Sequence, residues 1–178
     1  MDIEKIMNER HELLLRMRDE LQSQFIAAEI REPEQENMPA ILSVLFDELG
    51  FDDDEAFGEF FFYNIPSEDA DIQHFAAVIT IADDIPSDHL PELFEAMSYI
   101  NRELPCGSYS IDSDKKFLTF RLTVPLSLNM TGDELYEEMD IVIGNAMALV
   151  DTHMDILLKI LSGEKDIDYV KESLNKTF

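Results

Sequence analysis

A chain of 178 residues with 46% apolar side chains is long enough to bury a core, so a folded protein is expected despite a formal net charge of −26. No Lys or Arg occurs from Glu32 to Asn101, which removes the basic footprint that nucleic-acid phosphates or an anionic membrane surface require. The surplus acid fits two readings, plain solubility and attraction to a basic partner segment.

In chain order, residues 2–30 predict one long helix. Ile3, Met7, Leu14, Met17, Leu21, Phe25 and Ala28 recur at helical spacing, with Arg10 as a polar break in the stripe. Glu32–Asn37 reads as a polar linker. Ala40–Leu49 fits either a helix face or a buried strand. Gly50–Glu55 is a turn or loop whose acids lack the spacing of a calcium loop. Glu59–Ile65 is a strand. Its consecutive aromatics must point to both faces, so both faces are covered or one is an exposed apolar patch. Ser67–Asp71 is a turn and Gln73–Ala82 the next strand, with Phe75, Ala77, Ile79 and Ile81 on one face.

Ser87–Gly107 predicts a helix between two strand regions. Ser87 and Asp88 are candidate caps, Pro91 is tolerated in the first turn, and Pro105 with Gly107 stops it. Leu90, Leu93, Phe94, Met97, Ile100 and Leu104 gather on one face. Ser108–Asp112 is a short strand, residues 113–115 a tight turn, and Lys116–Leu126 the clearest strand. In it Leu118, Phe120, Leu122, Val124 and Leu126 face in, while Phe117, Thr119, Arg121 and Thr123 face out. Thr131 and Glu134 have capping-box spacing and open a long helix that runs to Gly163. Asp166–Leu174 predicts a short final helix. The fold class is therefore α+β, an antiparallel sheet of about five strands in the order α-β-β-β-α-β-β-α. Three segments are expected: residues 1–37 as N-terminal helix and linker, 38–163 as the α+β domain, and 164–178 as a helical tail.

The sequence offers little chemistry. His11, His74, His89 and His153 form no metal-binding spacing, and His153 reads as a packed, hydrogen-bonded side chain. No nucleophile elbow or glycine-rich phosphate loop is present. Cys106 is the single cysteine, which excludes an internal disulfide. Its place after Pro105 suggests a buried or half-buried packing role. No signal-peptide core and no membrane-spanning run is apparent, so a cytoplasmic location is expected. No cofactor, no metal and no catalytic residue is expected.

Three stretches carry a family resemblance: GEFFFYNIP, the helix LPELFEAMSYINRELPCGSYSID, and FLTFRLTVPL followed by the long helix. Over about residues 39–161 the chain resembles class I type III secretion chaperones and the YbjN-like bacterial proteins. The connection Leu104-Pro105-Cys106-Gly107 through Asp112 is most similar to the latter. The resemblance implies a small acidic module, a homodimer, that binds a partner protein or extended peptide, with no enzymatic activity. Candidate partner-binding residues are Phe94, Met97, Phe117, Thr119 and Arg121. The alternative is a small-ligand-binding protein or enzyme with a pocket between the sheet and the last helix.

Overall fold

A computed structural model describes residues 2–33, 38–67, 69–112, 114 and 116–177. The expected linker and turn positions at 34–37, 68, 113 and 115 lie outside the described residues. The elements are α1 (Ile3–Ser23), β1 (Ala27–Arg31), β2 (Ile41–Leu49), β3 (Asp54–Phe62), β4 (Ile72–Ala82), α2 (Leu90–Glu103), β5 (Ser108–Asp112), β6 (Phe117–Ser127), α3 (Gly132–Leu161) and α4 (Ile167–Thr177). The strands form one antiparallel sheet in the order β1-β2-β3-β4-β6-β5. The α+β class holds, with six strands where about five were expected.

The extra strand comes from the end of the predicted first helix. Asp2 caps α1 by accepting from the Lys5 amide at 3.0 Å. At the other end the Ile26 amide donates to the Leu21 carbonyl, and the Phe25 amide to the Gln22 carbonyl. This paired pattern is a Schellman stop, with Phe25 in the left-handed position at φ 67°. Helical spacing continues through Phe25 and Ala28, and Ala-Ala-Glu suits a helix. Pairing with β2, with Ala27 opposite Leu45 and Arg31 opposite Ile41, overrides that preference. The same ladder resolves Ala40–Leu49 as strand. The third strand begins at Asp54, before the expected Glu59, so Asp54 and Glu55 belong to it.

The chain divides into two compact units. The first comprises residues 1–46, 57–78 and 122–145. Its core holds Leu13, Leu14 and Met17 of α1, Phe60 and Phe62 of β3, Phe75 of β4, and Leu135 and Met139 of α3. The Phe62 and Phe75 rings meet at 4.8 Å between centroids. Gly58 lies inside β3 where a bounding residue was expected. A Cβ there would stand 2.8 Å from the Phe46 ring and 2.9 Å from that of Phe60.

The second unit comprises residues 47–56, 79–121 and 146–178. Leu93, Ala96, Met97 and Ile100 of α2 are buried, as are Tyr109, Leu118 and Phe120. Strands β5 and β6 pair with Tyr109 opposite Phe120 and Ser110 opposite Thr119. Gly107 is required twice over. Its φ is +69°, and an added Cβ would lie 2.4 Å from Phe120 Cζ. That explains the glycine in the Leu104–Asp112 connection. Helix α2 starts three residues later than expected, with His89 and not Ser87 or Asp88 at its N-cap and no side-chain cap.

Two further expectations are corrected. Cys106 is exposed rather than packed. Helix α3 does contain a window long and apolar enough to cross a membrane, with mean hydropathy 1.4, although half of that window is buried inside the protein. Its apolar side chains Ala146, Val150, Met154 and Leu157 are core residues of the second unit.

Candidate functional site

The five residues expected to meet a partner are not gathered in one place. Phe94 of α2 is 47% exposed, whereas Met97 on the same helix is buried and offers a partner no surface. On β6, Phe117, Thr119 and Arg121 alternate with the buried Leu118 and Phe120, so they point to the opposite face. There Phe117 sits opposite Asp112, Thr119 opposite Ser110 and Arg121 opposite Ser108. The Ser110 and Thr119 hydroxyls bond at 3.1 Å.

Arg10, Ser43, Gln73, His153 and Asp155 are polar side chains buried in the core. In the second unit, His153 Nδ1 bonds the Leu149 carbonyl at 2.7 Å, and the Tyr109 hydroxyl donates to the same oxygen at 3.0 Å. His153 Nε2 is buried with no hydrogen-bond partner. Burial lowers the His153 pKa, a smaller opposing effect coming from the Leu149 bond. Burial also pushes the Tyr109 phenol well above its ordinary range. Both groups are therefore held neutral, as packed side chains are.

Asp155 is engaged differently. Its Oδ2 accepts the Phe51 amide at 2.8 Å, and Asp151 Oδ1 accepts the Gly50 amide at 2.8 Å. Lys159 Nζ pairs with Asp52 at 2.9 Å. Asp151, Asp155 and Lys159 are spaced by four, so they form one row on α3 and grip three successive turn residues. The acid-rich turn is thus clamped by a helix. The clamp leaves the Phe51 ring 93% exposed.

In the first unit Arg10, the polar break of the α1 stripe, is only 2% exposed. Its Nε donates to Gln73 Oε1 at 3.4 Å, its guanidinium lies 5.7 Å from the Phe62 ring centre, and Nη1 has no hydrogen-bond partner. Gln73 in turn donates to the Tyr63 carbonyl at 2.6 Å. Among the described residues, no group of three or more His, Cys, Asp or Glu is arranged to hold a metal ion.

The largest departures from ordinary surface chemistry are aromatic. Phe25 is 98% exposed and stands at the left-handed stop of α1. The segments on either side of it, Gln22 and Ala27–Glu29, line a groove of about 340 Å³ completed by Ser43, Leu45 and Phe57. Leu45 and Phe57 are themselves exposed.

No protein-family model matches this chain, and no curated protein matches it. Among solved structures it is similar to YbjN from E. coli, a protein proposed to be a transcription regulator. The two share 16% identity over 79% of this chain and 87% of that one, with a TM-score of 0.41. That likeness says nothing about partners.

Sequence reading missed both exposed rings. Phe25 fell on the apolar stripe of a helix that stops two residues earlier, and Phe51 sat in a turn without any pattern. The signal for Phe51 was the Asp-x3-Asp-x3-Lys spacing in α3, which places three polar groups in one row. For Phe25 no local signal existed, because the stop is made by backbone bonds alone.

Proposed function

We propose that this chain is a non-catalytic protein-interaction module, chaperone-like or regulatory, that binds a partner protein or an extended peptide. The observation that carries this reading is the pair of phenylalanines kept in water on hydrogen-bonded turns, Phe25 at 98% and Phe51 at 93% exposure. Isolated exposed apolar residues are ordinary, but large rings held almost wholly in solvent on ordered turns gain nothing from folding. Binding would supply the missing burial. Self-association as a homodimer belongs to the same proposal, with the exposed Phe94 and Phe117 as apolar area for it. The exposed thiol of Cys106 supports a reducing cytoplasm as its compartment.

The test is a quantitative pull-down with the full chain at low and high salt, compared with a variant carrying Phe25→Ser and Phe51→Ser. The reading expects proteins captured by the wild type, identified by mass spectrometry, to be lost from the variant. Equal capture by both would refute it. Light scattering tests the dimer, and a strict monomer at micromolar concentration would remove that part.

A further inference from the structure

The geometry points to Phe25 and the groove beside it as the docking site for a basic, apolar-anchored segment of a partner protein. This inference rests on the interaction reading and assigns it a surface and a ligand chemistry.

Three observations meet at Phe25. First, its backbone occupies a position where glycine is the favoured residue, at φ 67° in a Schellman stop. A side chain there adds strain, since the left-handed region brings Cβ against the following carbonyl oxygen. Second, the ring is 98% exposed, so packing gives nothing back for that strain. Third, residues on both sides of it in sequence, Gln22 and Ala27–Glu29, line a groove of about 340 Å³ with Ser43, Leu45 and Phe57, which has room for a large side chain. A ring kept at a cost in both backbone and solvation, next in sequence to a groove that mixes Ala27, Leu45 and Phe57 with Gln22, Glu29 and Ser43, is arranged for contact.

Charge selects the occupant. Among the described residues from Gln22 to Pro33 the acids are Glu29 and Glu32, the latter bonded to His11 at 3.0 Å, and the one base is Arg31. That base is spent, because its guanidinium bonds Ser43 and Glu59. Glu29 lines the groove and is exposed. Two copies meeting at this groove would set Glu29 against Glu29, whereas a basic segment is drawn to it. The segment docks through its side chains. At the β1 edge the Ala28 carbonyl is already taken by Gln22 Nε2 at 2.7 Å, which blocks part of the edge against an added strand.

Fluorescence anisotropy of the full chain tests the assignment, with a labelled peptide of alternating Lys and Leu as the probe. Parallel arms use Glu–Leu and Lys–Ser peptides and phosphatidylcholine vesicles. The Lys–Leu peptide is expected to bind, more weakly at high salt, and the other arms are expected not to. Phe25→Gly should raise Kd by about tenfold or more, as loss of an aromatic anchor does. Its Tm should hold or rise, while Ile141→Ala, which trims an exposed apolar side chain of α3, should leave Kd unchanged. Unchanged binding by Phe25→Gly, equal binding of the Glu–Leu peptide, Phe25-dependent vesicle binding, or no binding of the Lys–Leu peptide would each overturn the proposal. So would a Tm fall of more than about 4 °C in Phe25→Gly, which marks a structural residue. If the site fails here while the pull-down still captures partners, only the docking surface is lost. If the pull-down also captures nothing, the interaction reading fails with it.

Discussion

Replacing Arg10 by methionine should make this protein more stable, although a conspicuous buried side chain is lost. Arg10 is only 2% exposed, and burial lowers its pKa, with Glu9 opposing that effect. Desolvating a cation costs several kcal/mol after relaxation, and a buried donor left without a partner, as Nη1 is, about 1–3 kcal/mol. The returns are small. The bond to Gln73 at 3.4 Å is longer than a normal N–H···O bond, and Glu9 lies 3.9 Å away with a third of its side chain in water. The Phe62 ring at 5.7 Å contributes about 1–2 kcal/mol. Methionine keeps the volume and conforms to irregular space. We expect Arg10→Met to stabilise by about 2 kcal/mol, read as a higher urea midpoint at unchanged m-value, with Tm up by about 4–8 °C. Arg10→Ala should fall below the methionine variant because it leaves a cavity. A loss of more than about 1 kcal/mol in Arg10→Met would refute the reasoning, since the guanidinium would then hold the structure together.

Other consequences follow from the same packing. His153 has a folded pKa below its unfolded value, so the unfolded chain binds the extra proton. Its contribution is complete above the unfolded value of about 6.5 and is lost as pH falls through that value towards the folded pKa. In urea titrations from pH 7 to pH 5, His153→Gln should therefore lose less stability than the wild type, and parallel curves would contradict this. Gly107→Ala should cost about 2–4 kcal/mol through a strained left-handed φ and a collision with Phe120, and a midpoint within about 0.5 kcal/mol of wild type would contradict the geometry. Asp155→Ala should speed hydrogen exchange at the Phe51 amide about tenfold or more by releasing one arm of the clamp, and unchanged protection would place that bond elsewhere.

Strands with a two-residue rhythm were legible in advance. Leu118, Phe120 and Leu122 alternate with outward residues, and β6 lies beside β5 as their patterns imply. The last helix and α2 were also readable from three- and four-residue spacing. What failed did so where tertiary contacts decide. Ala27–Arg31 has helix-forming residues but is recruited by β2. Met97 belongs to the apolar face of α2, and that face turned out to be core, whereas neighbouring Phe94 remains half in water. Gly58 looked like a boundary, yet the need is for space beside the Phe46 and Phe60 rings, which is known only once two strands pair. The groove that flanks Phe25 in sequence could not be read locally, since Leu45 and Phe57 reach it from other strands.

Site-specific photocrosslinking tests the central claim most directly. A photoreactive phenylalanine analogue would be installed at Phe25, and in a control chain at the exposed polar Glu95 of α2. On irradiation in the producing cell, adducts to a discrete partner protein should form from Phe25 and not from Glu95. No adduct from Phe25, or the same adducts from both positions, would contradict the account.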